Sequence, residues 1–146
     1  MAKMINTELL QDHARQYKLS KATAVEYHKQ LFQLHPELAE PYNAEDLDPE
    51  SLQRSQKFII QGMSELQNFF ALPTAFGDDR KWRNALVAFK EQYGDIGLSL
   101  EEFHKVTGAF LAAMNKNAGG VSNEQKKNWE ELLTVAYESM KKYGWF

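Results

Sequence analysis

The chain is expected to form an all-α domain of about seven helices packed around a central pocket. Three observations lead there. Apolar residues recur at spacings of three and four along most of the sequence, the period of a one-sided helix. No stretch alternates apolar and polar residues as a half-buried strand would. Prolines, glycines and capping residues cut the periodic stretches into pieces of widely differing length. The uneven lengths and the abrupt break at Pro36 argue against a simple four-helix bundle. They suit helices crossing at about 50° around a cavity. At 146 residues the chain is read as one domain, 1–146.

The elements follow in order. Residues 5–17 form a first helix with Leu9, Leu10, His13 and Tyr17 on one side. Ser20 is a plausible N-cap for a second, running to about His35, with Val25, His28, Leu31 and Phe32 facing one way. Pro36 opens a short helix carrying Leu38 and Tyr42, since proline is tolerated in a first turn. Residues 43–47 are a polar link. Asp48-Pro49 is a strong start signal. The helix it opens is expected over Pro49–Leu72, with Phe58, Gln61, Glu65 and Phe69 on one face and Pro73 as its stop. The next is expected over Asp79–Tyr93, ended by Gly94; it carries Trp82, Leu86, Phe89 and Tyr93 on one face. Ser99 with Glu102 forms a capping box before a helix bearing Phe103, Val106, Phe110 and Met114, which Gly119-Gly120 breaks. Ser122 with Gln125 is a second capping box. It precedes a long amphipathic stripe of Trp129, Leu132, Leu133, Ala136, Tyr137 and Met140. The aromatic tail Tyr143-Gly144-Trp145-Phe146 is expected to pack back on the body.

Composition narrows the function classes. The net charge is −3 and no basic stripe is present, so a nucleic-acid partner is not expected. The sequence contains no cysteine, which removes disulfides, thiolate catalysis and cysteine-based metal sites. Met1 to Leu10 holds no long apolar run and no stretch approaches the length of a membrane span. A cytoplasmic protein, monomer or homodimer, is the default expectation, although a secreted chain with its signal removed would look the same. No nucleophile–base motif, phosphate loop or zinc spacing occurs.

Several segments together are similar to a known family. Leu31-Phe32-Gln33-Leu34-His35-Pro36-Glu37-Leu38 resembles the junction of the second and third helices of globins. Asp48 to Ser51, with Lys57-Phe58 and Gln61-Gly62, resembles the distal helix of invertebrate globins, nematode ones especially. Ser122 to Met140, with Trp129, resembles the last globin helix. The resemblance implies a globin fold, haem as cofactor, and oxygen or another small molecule as ligand. It places Tyr42 on the aromatic that packs against haem, Gln61 on the ligand-facing distal position and Gly62 on the close-packing residue after it. His28, Phe58, Glu65, Phe69, Phe89, Phe103 and Val106 would complete the pocket lining.

Three positions depart from the family pattern. Tyr93 stands where the proximal histidine belongs, and no histidine lies between His35 and His104. Glu65 stands at a position usually valine, leucine or isoleucine. His28 stands at one usually leucine, phenylalanine or tyrosine. Tyrosinate can bind ferric haem, so Tyr93 is the candidate metal ligand; otherwise its ring simply packs at a helix end. A one-residue change of helix register would turn Glu65 outward and bring Leu66 in. In the first register Glu65 and His28 approach each other. They would then be either an acid/base pair over a bound molecule, as peroxide chemistry needs, or a polar plug in a pocket that has lost its haem. His13, His35 and His104 are read as surface, capping or satisfied core residues. Three functions follow as expectations: a haem-binding globin with an unusual proximal side; a haem-free module taking an apolar, fatty-acid-like ligand or acting as a sensor; or an interaction protein with a filled core, using Trp145 and Phe146 for a partner.

Overall fold

A computed structural model describes residues 4–96, 99 and 101–145. The described residues contain six α-helices, two 3-10 helices and no strand. Helix α1 spans Thr7–Gln16, α2 Glu26–Leu34, α3 Gln56–Ala75, α4 Asp79–Ile96, α5 Phe103–Asn117 and α6 Asn123–Lys142. The 3-10 helices span Pro36–Tyr42 and Pro49–Arg54, between α2 and α3. The all-α reading therefore holds. No helix among the described residues is long and apolar enough to cross a membrane.

Helix ends follow their local chemistry. The Asn6 side chain accepts from the Leu9 N–H and starts α1. Ser122 and Gln125 make the reciprocal capping box at the start of α6. The same exchange links Ser99 and Glu102, with α5 proper beginning one residue later at Phe103. Pro36 enters a 3-10 turn whose last residue is followed by Asn43 at φ 58°, a left-handed cap that asparagine tolerates. Gly77 takes φ 99° in the turn before α4, a conformation only glycine adopts without strain.

Four boundaries differ from expectation. Ser20 opens a turn, not α2: its carbonyl accepts from Thr23 and Ala24 N–H, and α2 begins only at Glu26. The expected helix over Pro49–Leu72 is broken at Ser55, which is extended and accepts the Phe58 N–H on its hydroxyl. Asp48 and Ser55 are both N-caps, so the segment starts twice. Pro73 does not stop α3, which runs through it to Ala75. A proline in the last turn removes only one backbone bond, and the Phe76 N–H still closes on the Leu72 carbonyl at 3.0 Å. Gly94 lies inside α4, which continues to Ile96.

The core is one cluster shared by all six α-helices, with Leu10, Leu31, Leu66, Phe69, Leu86, Phe110 and Trp129 fully buried. Phe69 stacks on Phe110 at 4.4 Å between ring centroids, and Trp129 meets Phe110 edge-on at 4.8 Å. His13 belongs to this core: its Nδ1 accepts from the Trp129 indole at 3.0 Å and its Nε2 lies 2.9 Å from the Gly120 carbonyl. Burial holds its pKa below the usual imidazole value. The tail folds back as expected, Tyr143 and Trp145 being half-buried under the Arg83 guanidinium, with Lys90 also over Trp145. Trp145 is thus engaged within the chain, and Phe146 lies outside the described residues.

Helix α3 lies against the turn before α2 at Gly62, where a Cβ would stand 2.0 Å from the Ala24 carbonyl oxygen. Gly62→Ala should therefore lower the urea-unfolding free energy by about 1–3 kcal/mol through overpacking, despite alanine's better helix propensity. Gly108→Ala on α5, where a Cβ would meet nothing within 4 Å, should raise it by up to about 1 kcal/mol. Equal effects at the two sites would contradict the close contact.

Candidate functional site

Helices α2, α3, α4 and α5 and the 3-10 helix ending at Tyr42 supply the sequence-identified pocket residues. His28, Glu65, Phe69, Phe89 and Val106 are fully buried, and Tyr42, Phe58, Tyr93 and Phe103 nearly so. Gln61 is half-exposed at the edge. Glu65 faces inward, and Leu66 is fully buried too. The first register holds for Glu65, and Leu66 is covered as well because α3 is packed over a wide arc.

Glu65 is the centre. Its Oε2 lies 2.6 Å from His28 Nε2 and accepts from Gln61 Nε2 at 2.9 Å. Its Oε1 accepts from the Tyr42 hydroxyl at 2.9 Å. Three donors from three elements meet one carboxylate, the arrangement that a buried charge requires. Gln61 and Glu65 are one turn apart on α3, so the helix itself aligns them. Tyr42 reaches in from the 3-10 turn that Pro36 begins, held by Lys57, whose ammonium donates to the Tyr42 carbonyl at 2.7 Å. The rings of Tyr27, Phe32, Tyr42 and Phe58 wall the His28 imidazole at centroid distances of 4.9–5.9 Å. His28 Nδ1 is the one buried side-chain nitrogen or oxygen without a hydrogen-bond partner among the described residues.

A second polar contact lies deeper. The Tyr93 hydroxyl meets that of Tyr27 at 3.0 Å, joining α4 to α2. Tyr27 was not singled out from the sequence. Its neighbour His28 set the inward face of α2, yet Glu26, Tyr27, His28 and Lys29 are all buried. When a helix is covered on several sides, periodicity does not show which side matters. Burial first, and then the Glu65 charge, push the phenols of Tyr27, Tyr42 and Tyr93 well above the usual tyrosine pKa.

The aromatic residues expected to line a cofactor are in contact with one another. Phe69 is edge-on to Phe89 at 5.2 Å and to Tyr27 at 5.4 Å. Phe89 stacks on Tyr93 at 5.8 Å, and Phe103 is edge-on to both. Among the described residues no three histidine, aspartate or glutamate side chains gather as a metal site. His35 lies 3.6 Å from Glu37 at the end of α2, and exposed His104 packs beside Tyr137. Beside Gln61 a polar groove of about 420 Å³ runs between α3 and α4. There Asn68 donates to Gln92, and Gln92 donates to Ser64. No protein-family model matches the chain, and no curated protein matches it significantly.

Removing the acceptor should be far worse than removing the whole cluster. Glu65→Ala leaves buried donors unpaired and should cost about 3–5 kcal/mol of stability in urea unfolding. The triple variant His28→Leu/Glu65→Leu/Tyr42→Phe replaces the network by apolar groups and should recover most of that loss. A triple variant at least as unstable as Glu65→Ala would contradict this.

The phenols make a separate pH prediction. Their folded pKa values lie above the unfolded value of about 10, so their contribution is complete below pH 10 and is lost as pH rises through the folded values. Each phenol should steepen that loss by up to about 1.4 kcal/mol per pH unit. Unfolding between pH 9 and 11 should show a shallower decline in Tyr93→Phe than in the unaltered chain. Parallel declines would mean that Tyr93 is not held protonated inside.

Proposed function

We propose that this chain is a globin-like helical module that works without haem, serving as a sensing or interaction domain. In this reading the Glu65 cluster stands where a globin would hold its cofactor. The globin likeness rests on the sequence segments given above. The order of the helices, Tyr42 at the end of the short Pro36 helix, and the close approach at Gly62 support it.

The contact between the Tyr27 and Tyr93 hydroxyls carries the haem-free reading. In a globin the macrocycle lies between the distal and proximal helices. Here Tyr93, at the proximal position, touches a residue of α2 directly, and Phe89 touches Phe69 of α3. A flat ring between them would have to part both contacts. The donor chemistry lends iron little help. A tyrosine ligand must lose its proton, and burial together with the Glu65 charge opposes that loss, leaving the ferric ion's own charge to drive it. The residues at the site thus do not suit haem, and with it oxygen carriage and peroxide chemistry lose support. His28 and Glu65 are engaged with each other and are walled by rings, which favours the polar plug over an acid/base pair. A fatty-acid-like ligand among Phe58, Phe69, Phe89 and Phe103 would likewise have to separate rings already in contact.

Haemin titration of the purified chain tests the proposal. The expected result is no saturable uptake and no Soret band, with Tyr93→Phe behaving the same. Stoichiometric binding with a band altered by Tyr93→Phe would overturn it in favour of a tyrosine-ligated haem protein.

A further inference from the structure

A second candidate site lies away from the Glu65 cluster, where the turn after α3, the first turns of α4 and the end of α6 meet. A half-open cleft of about 340 Å³ is lined there by Phe76, Trp82, Val135, Ser139, Lys142 and Tyr143. The volume falls within the range of small-molecule sites, which pair apolar walls with a few polar groups. Phe76 and Trp82 meet edge-on at 5.3 Å and 80°, making one aromatic corner, and Val135 and Tyr143 of the α6 end supply the facing wall.

The polar groups are asymmetric. The Ser139 hydroxyl accepts from the Trp82 indole N–H at 3.1 Å. Its own O–H meets no acceptor among the described residues, so Trp82 aligns it as a donor. Lys142, one turn further along α6, is exposed and joins no ion pair among the described residues. The Arg83 guanidinium stands over the Tyr143 ring at 4.8 Å and adds positive charge. Asp79, on the α4 side of the cleft, disfavours an anion at that end and so fixes its direction. We infer that this cleft binds a small amphipathic carboxylate, with its apolar or aromatic body against Phe76 and Trp82 and its carboxylate on the Ser139 hydroxyl and the Lys142 ammonium. An aromatic body suits the corner because rings prefer edge-to-face and offset contacts. The inference is independent of whether the chain holds haem.

Phenylacetate is the probe, and the Trp82 indole N–H resonance of ¹⁵N-labelled protein is the readout. A saturable shift with a dissociation constant of about 1 mM or tighter is expected. Ser139→Ala should weaken binding about tenfold, by loss of a charge-assisted hydrogen bond. Lys142→Gln, at an exposed position, should weaken it about threefold to fivefold. Phenylacetamide, neutral and of the same shape, should bind at least about tenfold more weakly. The inference is overturned by the absence of a saturable shift, by equal binding of the amide, or by affinity unchanged in both variants.

Discussion

One carboxylate organises the interior. Glu65 is fully buried on a helix otherwise committed to apolar packing, and an isolated buried charge would be prohibitively costly. Its position is tolerable because α2 supplies His28, the Pro36 turn supplies Tyr42 and α3 itself supplies Gln61. Each of these elements is thereby fixed relative to the others. Apolar packing alone would leave sliding and rotation cheaper, whereas a three-donor arrangement is satisfied in one geometry. The ring of aromatics about His28 and the approach at Gly62 belong to the same assembly. They bring α2 and α3 close enough for a 2.6 Å contact.

That assembly has a chemical consequence for the adjoining tyrosines. A negative charge in a low-dielectric interior raises the cost of creating a second one. Burial first, and then this charge, hold the Tyr27 and Tyr93 phenols protonated, and they serve each other as hydrogen-bond partners. Tyr93 is thus a neutral strut between α2 and α4. His28, Glu65 and Tyr93 are separate in sequence but physically coupled: the carboxylate needs the imidazole, and it adds to the burial that keeps the phenol neutral.

Much of this was legible in the sequence. Spacings of three and four placed Phe58, Gln61, Glu65 and Phe69 on one side of α3, and Phe89 with Tyr93 on one side of α4. The convergence of His28 with Glu65 followed from the globin-like segments. Other features lie beyond a periodicity argument. Ser55 is as good a cap as Asp48, so nothing local says that one helix is two. Pro73 reads as a stop because the cost of a proline depends on how much helix remains after it. Tyr27 was missed because α2 is buried on several sides. Gln61 was read as a donor to a bound ligand, and its bond to Glu65 one turn away was not foreseen.

The central claim is that the space between the buried faces of α3 and α4, inward of the polar groove at their rim, is filled by the chain's own side chains. A crystal structure of the protein purified without added cofactor tests it most directly. The expected electron density shows the Tyr27 and Tyr93 hydroxyl oxygens at hydrogen-bond distance and Glu65 within reach of His28, Tyr42 and Gln61. Density for a flat macrocycle between the two helices, with Tyr93 turned toward it, would contradict the claim.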